Sequence, residues 1–152
     1  MKTWRVQKQQ QQKSAKRAEK SFGENKIAGQ EFLATNKSKE GVIETESGLQ
    51  YIIMREGKGE KPVTTSKVKV HYHGTNIAGE VFDSSVDKGT PAEFGVTQVI
   101  KGWTEGLQLM KAGGKYKFFI PQNLAYGAQQ RGAAIKPFST LIFEVELLEV
   151  IN

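Results

Sequence analysis

Apolar residues recur at every second position in several short runs of this chain, the pattern of strands with one buried face. Gly48-Leu49-Gln50-Tyr51-Ile52-Ile53 opens the series. In Val68-Lys69-Val70-His71-Tyr72, the residues Val68, Val70 and Tyr72 share a face. Lys115-Tyr116-Lys117-Phe118-Phe119-Ile120 follows and is stopped by Pro121. In the last run, Leu141, Phe143, Val145 and Leu147 face one way, and Glu144 and Glu146 the other. Between these runs one segment has the helical period. Trp103, Leu107 and Met110 stand at i, i+4 and i+7, and Gly113-Gly114 ends the segment. The pattern predicts an α+β fold, an antiparallel sheet covered on one side by a single short helix.

The first forty residues follow other rules. They contain no proline and two of the 16 glycines, and Lys, Gln and Glu dominate. Ala15, Ala18, Phe22 and Phe32-Leu33 form a thin apolar stripe, which predicts a helix over about residues 14–37. A stripe this thin buries little by itself. The helix either docks on something or is the end of a longer stalk. The chain is therefore divided into a basic helical segment, 1–40, and a β-rich domain, 41–152.

Charge sharpens that division. The net charge is +6 and the mean hydropathy −0.49. Residues 1–40 hold ten basic and four acidic residues, a net of +6, whereas residues 41–152 hold twelve of each. The basic balance belongs wholly to the leading segment. That segment has Trp4, Phe22 and Phe32 as stacking groups but no recognised nucleic-acid module, so its expected role is a solvated helix face with no nucleic-acid partner. No apolar h-region follows Met1, and no run approaches the ~18 apolar residues of a membrane helix.

The chemistry of the domain is restricted. The chain has no cysteine, which excludes disulfides, Cys-ligated zinc and a thiol nucleophile. Walker A, G-x-G-x-x-G, H-E-x-x-H and G-x-S-x-G motifs are missing. His71 and His73 are the only histidines, and no Asp or Glu adjacent in sequence completes a metal site. The expectation is neither a metal nor a cofactor. What remains is aromatic: Tyr72, Phe82, Phe94, Trp103, Tyr126 and Phe143 lie on or beside element ends. By spacing alone such a set reads as a hydrophobic core.

Five blocks in order give a second reading. They are Val70-His71-Tyr72-His73-Gly74, Gly79-Glu80-Val81-Phe82-Asp83-Ser84-Ser85, Val99-Ile100-Lys101-Gly102-Trp103, Leu124-Ala125-Tyr126-Gly127 and residues 140–147. Together they resemble the signature of the FKBP-type peptidyl-prolyl cis–trans isomerases over about residues 48–150. The lead-in at Lys39-Glu40-Gly41-Val42 and Glu46-Ser47-Gly48-Leu49-Gln50-Tyr51 resembles the bacterial macrophage infectivity potentiator (Mip) subfamily.

The resemblance implies a five- to six-stranded antiparallel sheet wrapped around one short helix, preceded by an N-terminal helix. It implies an enzyme that accelerates rotation of X–Pro bonds in unfolded or partly folded proteins. Trp103 would form the pocket floor, with Tyr72, Phe82, Phe94, Val99, Ile100, Tyr126, Ile135 and Phe143 as walls. Asp83 would pair with Tyr72, although a turn cap in Asp83-Ser84-Ser85 is its ordinary alternative. The Ile100 amide and the Tyr126 hydroxyl would donate to carbonyls of the bound chain. Ala92, Ala133-Ala134 and Lys136-Pro137 depart from the common family pattern, which bears on preference around the proline. Rapamycin and tacrolimus are implied ligands. A homodimeric parent, joined through an upstream helical region, is implied too, with this chain an N-terminally shortened monomeric form. The compartment would be the bacterial envelope if a leader precedes, and the cytoplasm otherwise. The alternative function is a chaperone or binding module for proline-containing segments, with isomerisation secondary.

Overall fold

The computed structural model describes residues 23–129 and 135–151. Helix α1 covers residues 23–36. Ala15, Ala18, Phe22 and Trp4 lie outside the described residues. The strands are β1 (Ile43–Glu44), β2 (Gln50–Arg55), β3 (Lys67–Asn76), β4 (Val81–Ser84), β5 (Ala92–Gly95), β6 (Lys115–Ile120) and β7 (Leu141–Ile151). Two short helices interrupt them, α2 (Ser85–Lys88) and α3 (Lys101–Leu107). All strand pairs are antiparallel, in the order β1-β2-β6-β7-β3-β4, with β5 also on β3. The sheet thus has seven strands where five or six were expected. The two-residue β1 adds one. The other arises because α2 divides the edge beside β3, so that β5 pairs Lys67–Val70 and β4 pairs His73–Thr75.

The alternating runs bury the faces that the sequence predicts. Val68, Val70 and Tyr72 on β3, and Leu141, Phe143, Val145 and Leu147 on β7, all enter the core. Trp103, Leu107 and Met110 enter it from α3 and the turn that follows. The approach of α3 to the sheet depends on two glycines one turn apart. A Cβ on Gly102 would stand 2.6 Å from Ile120 Cγ2, and one on Gly106 2.7 Å from Phe118 Cε1. Each helical glycine lowers helix propensity, and the benefit here is contact between the helix backbone and β6.

The sheet is not bare on its other side. Phe118 and Ile120 face α3, whereas Phe119 between them is also buried. Its partner is α1: the Phe32 and Phe119 rings lie 5.9 Å apart. Asn36 Nδ2 donates to Gln50 Oε1 at 2.9 Å, and Gln50 Nε2 donates to the Leu33 carbonyl at 2.9 Å. Asn36 and Gln50 are both buried. Of the two possibilities for the leading helix, its described part therefore docks, and the expectation of a sheet covered on one side is corrected. The apolar stripe looked thin because part of the contact is a satisfied amide pair.

The glycines of α3 give a direct test. Gly106→Ala improves helix propensity by about 0.5–1 kcal/mol, but the methyl meets a fully packed Phe118, and overpacking costs about 1–3 kcal/mol. The urea midpoint should fall. A raised midpoint would show that α3 does not press on β6 as described.

Candidate active site

Where α3 meets the open end of the sheet, a cavity of about 630 Å³ forms. All ten residues singled out in the sequence line it. Tyr72 comes from β3, Phe82 and Asp83 from β4, and Phe94 from β5. Val99 and Ile100 precede α3, which supplies Trp103. Tyr126 and Ile135 come from the segment between β6 and β7, and Phe143 from β7. Gln98 completes the lining, and sequence reasoning missed it. Its Oε1 accepts from the Gly95 amide at 3.2 Å, which closes the turn between β5 and α3.

The rings have a definite order. Trp103 meets Tyr72, Phe94 and Phe143 at centroid distances of 5.3, 5.6 and 5.1 Å and interplanar angles of 82°, 83° and 89°. Edge-to-face contacts of this kind are the favourable arrangement for aromatic quadrupoles. Phe82 extends the cluster through Phe143 at 5.3 Å and 85°. Trp103 is 5% exposed, and its indole N–H finds no acceptor among the described residues. An unsatisfied buried donor costs stability, so an apolar side chain of similar shape would serve a purely structural role better.

Against this apolar wall stands one polar cluster. Tyr72 Oη donates to Asp83 Oδ2 at 2.7 Å, and Lys88 Nζ lies 3.1 Å from Asp83 Oδ1. Lys88 was missed by sequence reasoning because its place follows only once α2 is formed. Asp83 is not the turn cap. That role falls to Ser84, whose side chain accepts from the Asp87 amide at 3.1 Å at the start of α2. Burial raises the Tyr72 phenol pKa well above its ordinary value, and the adjoining Asp83 carboxylate adds to the shift. For Asp83, burial acts upward, but the Tyr72 hydrogen bond and the Lys88 ammonium more than offset it. The carboxyl pKa is held below 3.8.

Two backbone facts complete the geometry. Ile100 is the residue before α3, at φ −60° and ψ 155°, and its carbonyl accepts from Trp103 and Thr104. Its own amide has no acceptor among the described residues. Tyr126 is partly buried and lines the same cavity. The histidines point elsewhere. His71 Nδ1 pairs with Ser85 Oγ and His73 Nδ1 with Ser84 Oγ, each at 2.9 Å. The sequence put no carboxylate beside them, but the register sets Glu146 opposite His71 and Glu144 opposite His73. Even so, no group of three or more His, Asp or Glu side chains among the described residues is placed to hold a metal. Nor, among them, is any helix long and apolar enough to cross a membrane.

Comparison with known proteins agrees with this geometry. Residues 58–148 match the FKBP-type peptidyl-prolyl cis-trans isomerase family. Residues 2–53 match a domain amino terminal to FKBP-type peptidyl-prolyl isomerase. The chain is 51% identical to the FKBP-type isomerase FkpA of Aeromonas hydrophila, over 95% of this chain and 56% of that protein. It is 55% identical to the 22 kDa FKBP-type isomerase of Escherichia coli, over 81% of this chain and 60% of that one. The crystal structure of FkpA from Escherichia coli superposes with a TM-score of 0.84 at 38% identity, covering 99% of this chain and 74% of that chain. The chain thus spans a little over half the length of the curated relatives it matches.

The polar cluster is testable by titration. A carboxyl with a depressed pKa stabilises the fold above its unfolded value, and that contribution is lost as pH falls through the folded one. The Asp83 carboxyl carbon should therefore titrate below 3.8 by NMR. In Lys88→Met the midpoint should move upward, because a stabilising cation is gone. An unmoved midpoint would show that Lys88 is solvated and not coupled to Asp83.

Proposed function

The chain belongs to the FKBP-type peptidyl-prolyl cis-trans isomerase family, and we propose that it accelerates rotation about X–Pro bonds in unfolded or partly folded polypeptides. The observation that carries the reading is a cavity in which six of the eleven lining residues are aromatic, with Asp83 and Gln98 as the other polar side chains. In this reading residues 41–152 are the isomerase domain, and residues 1–40 are the basic helical segment that leads into it.

The reaction suits such a site. Rotation breaks no σ-bond, and its barrier of ~18–20 kcal/mol comes from amide resonance. Resonance places negative charge on the amide oxygen. A wall of aromatic rings solvates that separated charge poorly, so the twisted amide, which has less of it, is favoured relative to the planar one. Trp103 floors the site under the proline ring, with Tyr72, Phe82, Phe94, Val99, Ile135 and Phe143 around it. The Ile100 N–H and the Tyr126 hydroxyl donate to carbonyls on either side of the bond, so the chain is held while the amide turns. Asp83 anchors the Tyr72 hydroxyl and fixes that wall. No nucleophile and no proton transfer is required.

Two tests follow. Rapamycin or tacrolimus presents a pipecolyl ring in place of proline, so either should compete with an X–Pro peptide and change Trp103 fluorescence. If saturating drug altered neither signal, the pocket would not be where proline binds. Tyr126→Phe removes one hydroxyl and little volume. A single hydrogen bond is worth about 0.5–1.5 kcal/mol, so peptide isomerisation should slow by about twofold to tenfold. In Asp83→Leu, catalysis should drop while circular dichroism stays native. If both variants were folded and fully active, these two residues would have no part in the reaction.

A further inference from the structure

All the pocket residues lie between 72 and 143, so the leading helix is expected to be dispensable for a small substrate. The contacts of α1 point to a different role. Beside its contact with Phe119 and Gln50, a second set converges on residues 137–140. Asn25 Nδ2 donates to the Pro137 carbonyl at 3.4 Å, and Lys26 Nζ lies 5.6 Å from the centre of the Phe138 ring. Gly29 abuts Thr140 so closely that a Cβ there would stand 2.2 Å from Thr140 Oγ1. Thr140 is 3% exposed, with little room to retreat. Glycine weakens the interior of a helix, and one retained there calls for a packing reason. The close approach to Thr140 is such a reason.

Residues 137–140 are not a passive surface. They join Ile135, in the pocket wall, to β7, which carries Phe143. The turn is tightly tied on its pocket side. The Phe138 amide donates to the Gly127 carbonyl at 2.6 Å, one residue after Tyr126. Ser139 Oγ donates to the Lys136 carbonyl at 2.6 Å. Phe138 is also the only non-glycine described residue with a positive φ, 62°. A side-chain-bearing residue keeps that conformation only where its surroundings hold it. On one side those surroundings are Gly127, and on the other they are α1.

We propose that α1 is a positioning element for the candidate active site: by gripping residues 137–140 it sets where Ile135 stands in the pocket wall, and so how tightly the residue beside the proline is held. The inference rests on the reading of the pocket as a prolyl site. It makes Asn25 and Gly29, neither of which lines the cavity, residues that tune substrate affinity. It also makes any force or partner acting on α1 an influence on the pocket.

The test uses the full chain with isoleucine methyls labelled for NMR. Gly29→Ala favours the helix by propensity, so a loss traces to the Thr140 contact. The Ile135 methyl resonance should move, and KM for an X–Pro peptide should rise about two- to tenfold with kcat little changed. Gly29→Ala/Thr140→Ala removes the clashing hydroxyl and should restore both. A folded Gly29→Ala protein with an unmoved Ile135 resonance and unchanged KM would overturn the proposal. Were Gly29→Ala unable to fold, Asn25→Ala, which deletes one part-exposed hydrogen bond, is read by the same two signals and decides in the same way. If the parent protein turned over no peptide, the prolyl reading would fall. The Ile135 resonance would still report whether α1 moves the wall.

Discussion

The backbone of α3 lies directly against β6, and the site depends on that contact. Gly102 and Gly106 allow it, because no side chain separates the helix from Ile120 and Phe118. A helix held this close places Trp103 at a fixed depth, within reach of rings from three different strands. Lifting α3 by the width of a methyl group would open the edge-to-face contacts together. The cavity would then lose its floor before the fold lost its sheet.

The polar part of the site is built from the same economy of elements. α2 has four residues, yet it settles three matters at once. Its N-cap, Ser84, takes the capping role that Asp83 could have filled. Its last residue, Lys88, brings a cation to Asp83. Its presence also divides the sheet edge, so that β4 offers Phe82 and Asp83 to the cavity while β5 offers Phe94. The consequence is an ionised carboxylate held at the rim of an apolar bowl, with its charge balanced by a surface lysine and its orientation fixed by Tyr72. A carboxylate so engaged is poorly suited to acid–base work and well suited to holding a wall.

Much of this was legible in the chain, for identifiable reasons. The buried faces of β3 and β7 follow from strict alternation, and α3 from its 3.6-residue period. Ten of the eleven lining residues were gathered by the ordered blocks and the family resemblance they carry; periodicity alone would have left them as core. Other features were hidden by their physics. Phe118-Phe119-Ile120 breaks the alternation because β6 is covered on both faces. The docking of α1 was obscured because Asn36 and Gln50, polar by composition, bury a hydrogen bond rather than a hydrocarbon surface. Lys88 and Gln98 act through turns of a few residues, too short for any period to register. The pairing of His71 with Glu146 depends on strands about seventy residues apart, which no local pattern encodes.

The central proposal is that an aromatic cavity with hydrogen-bond donors in its lining turns an amide without moving a proton. The most direct measurement is the solvent deuterium isotope effect on kcat/KM for an X–Pro peptide, taken across a range of pH in which the fold is intact. Rotation assisted only by desolvation and hydrogen bonding predicts a rate indistinguishable in light and heavy water. A rate halved or more in deuterium oxide would mean that a proton is in flight in the transition state, and it would contradict the mechanism.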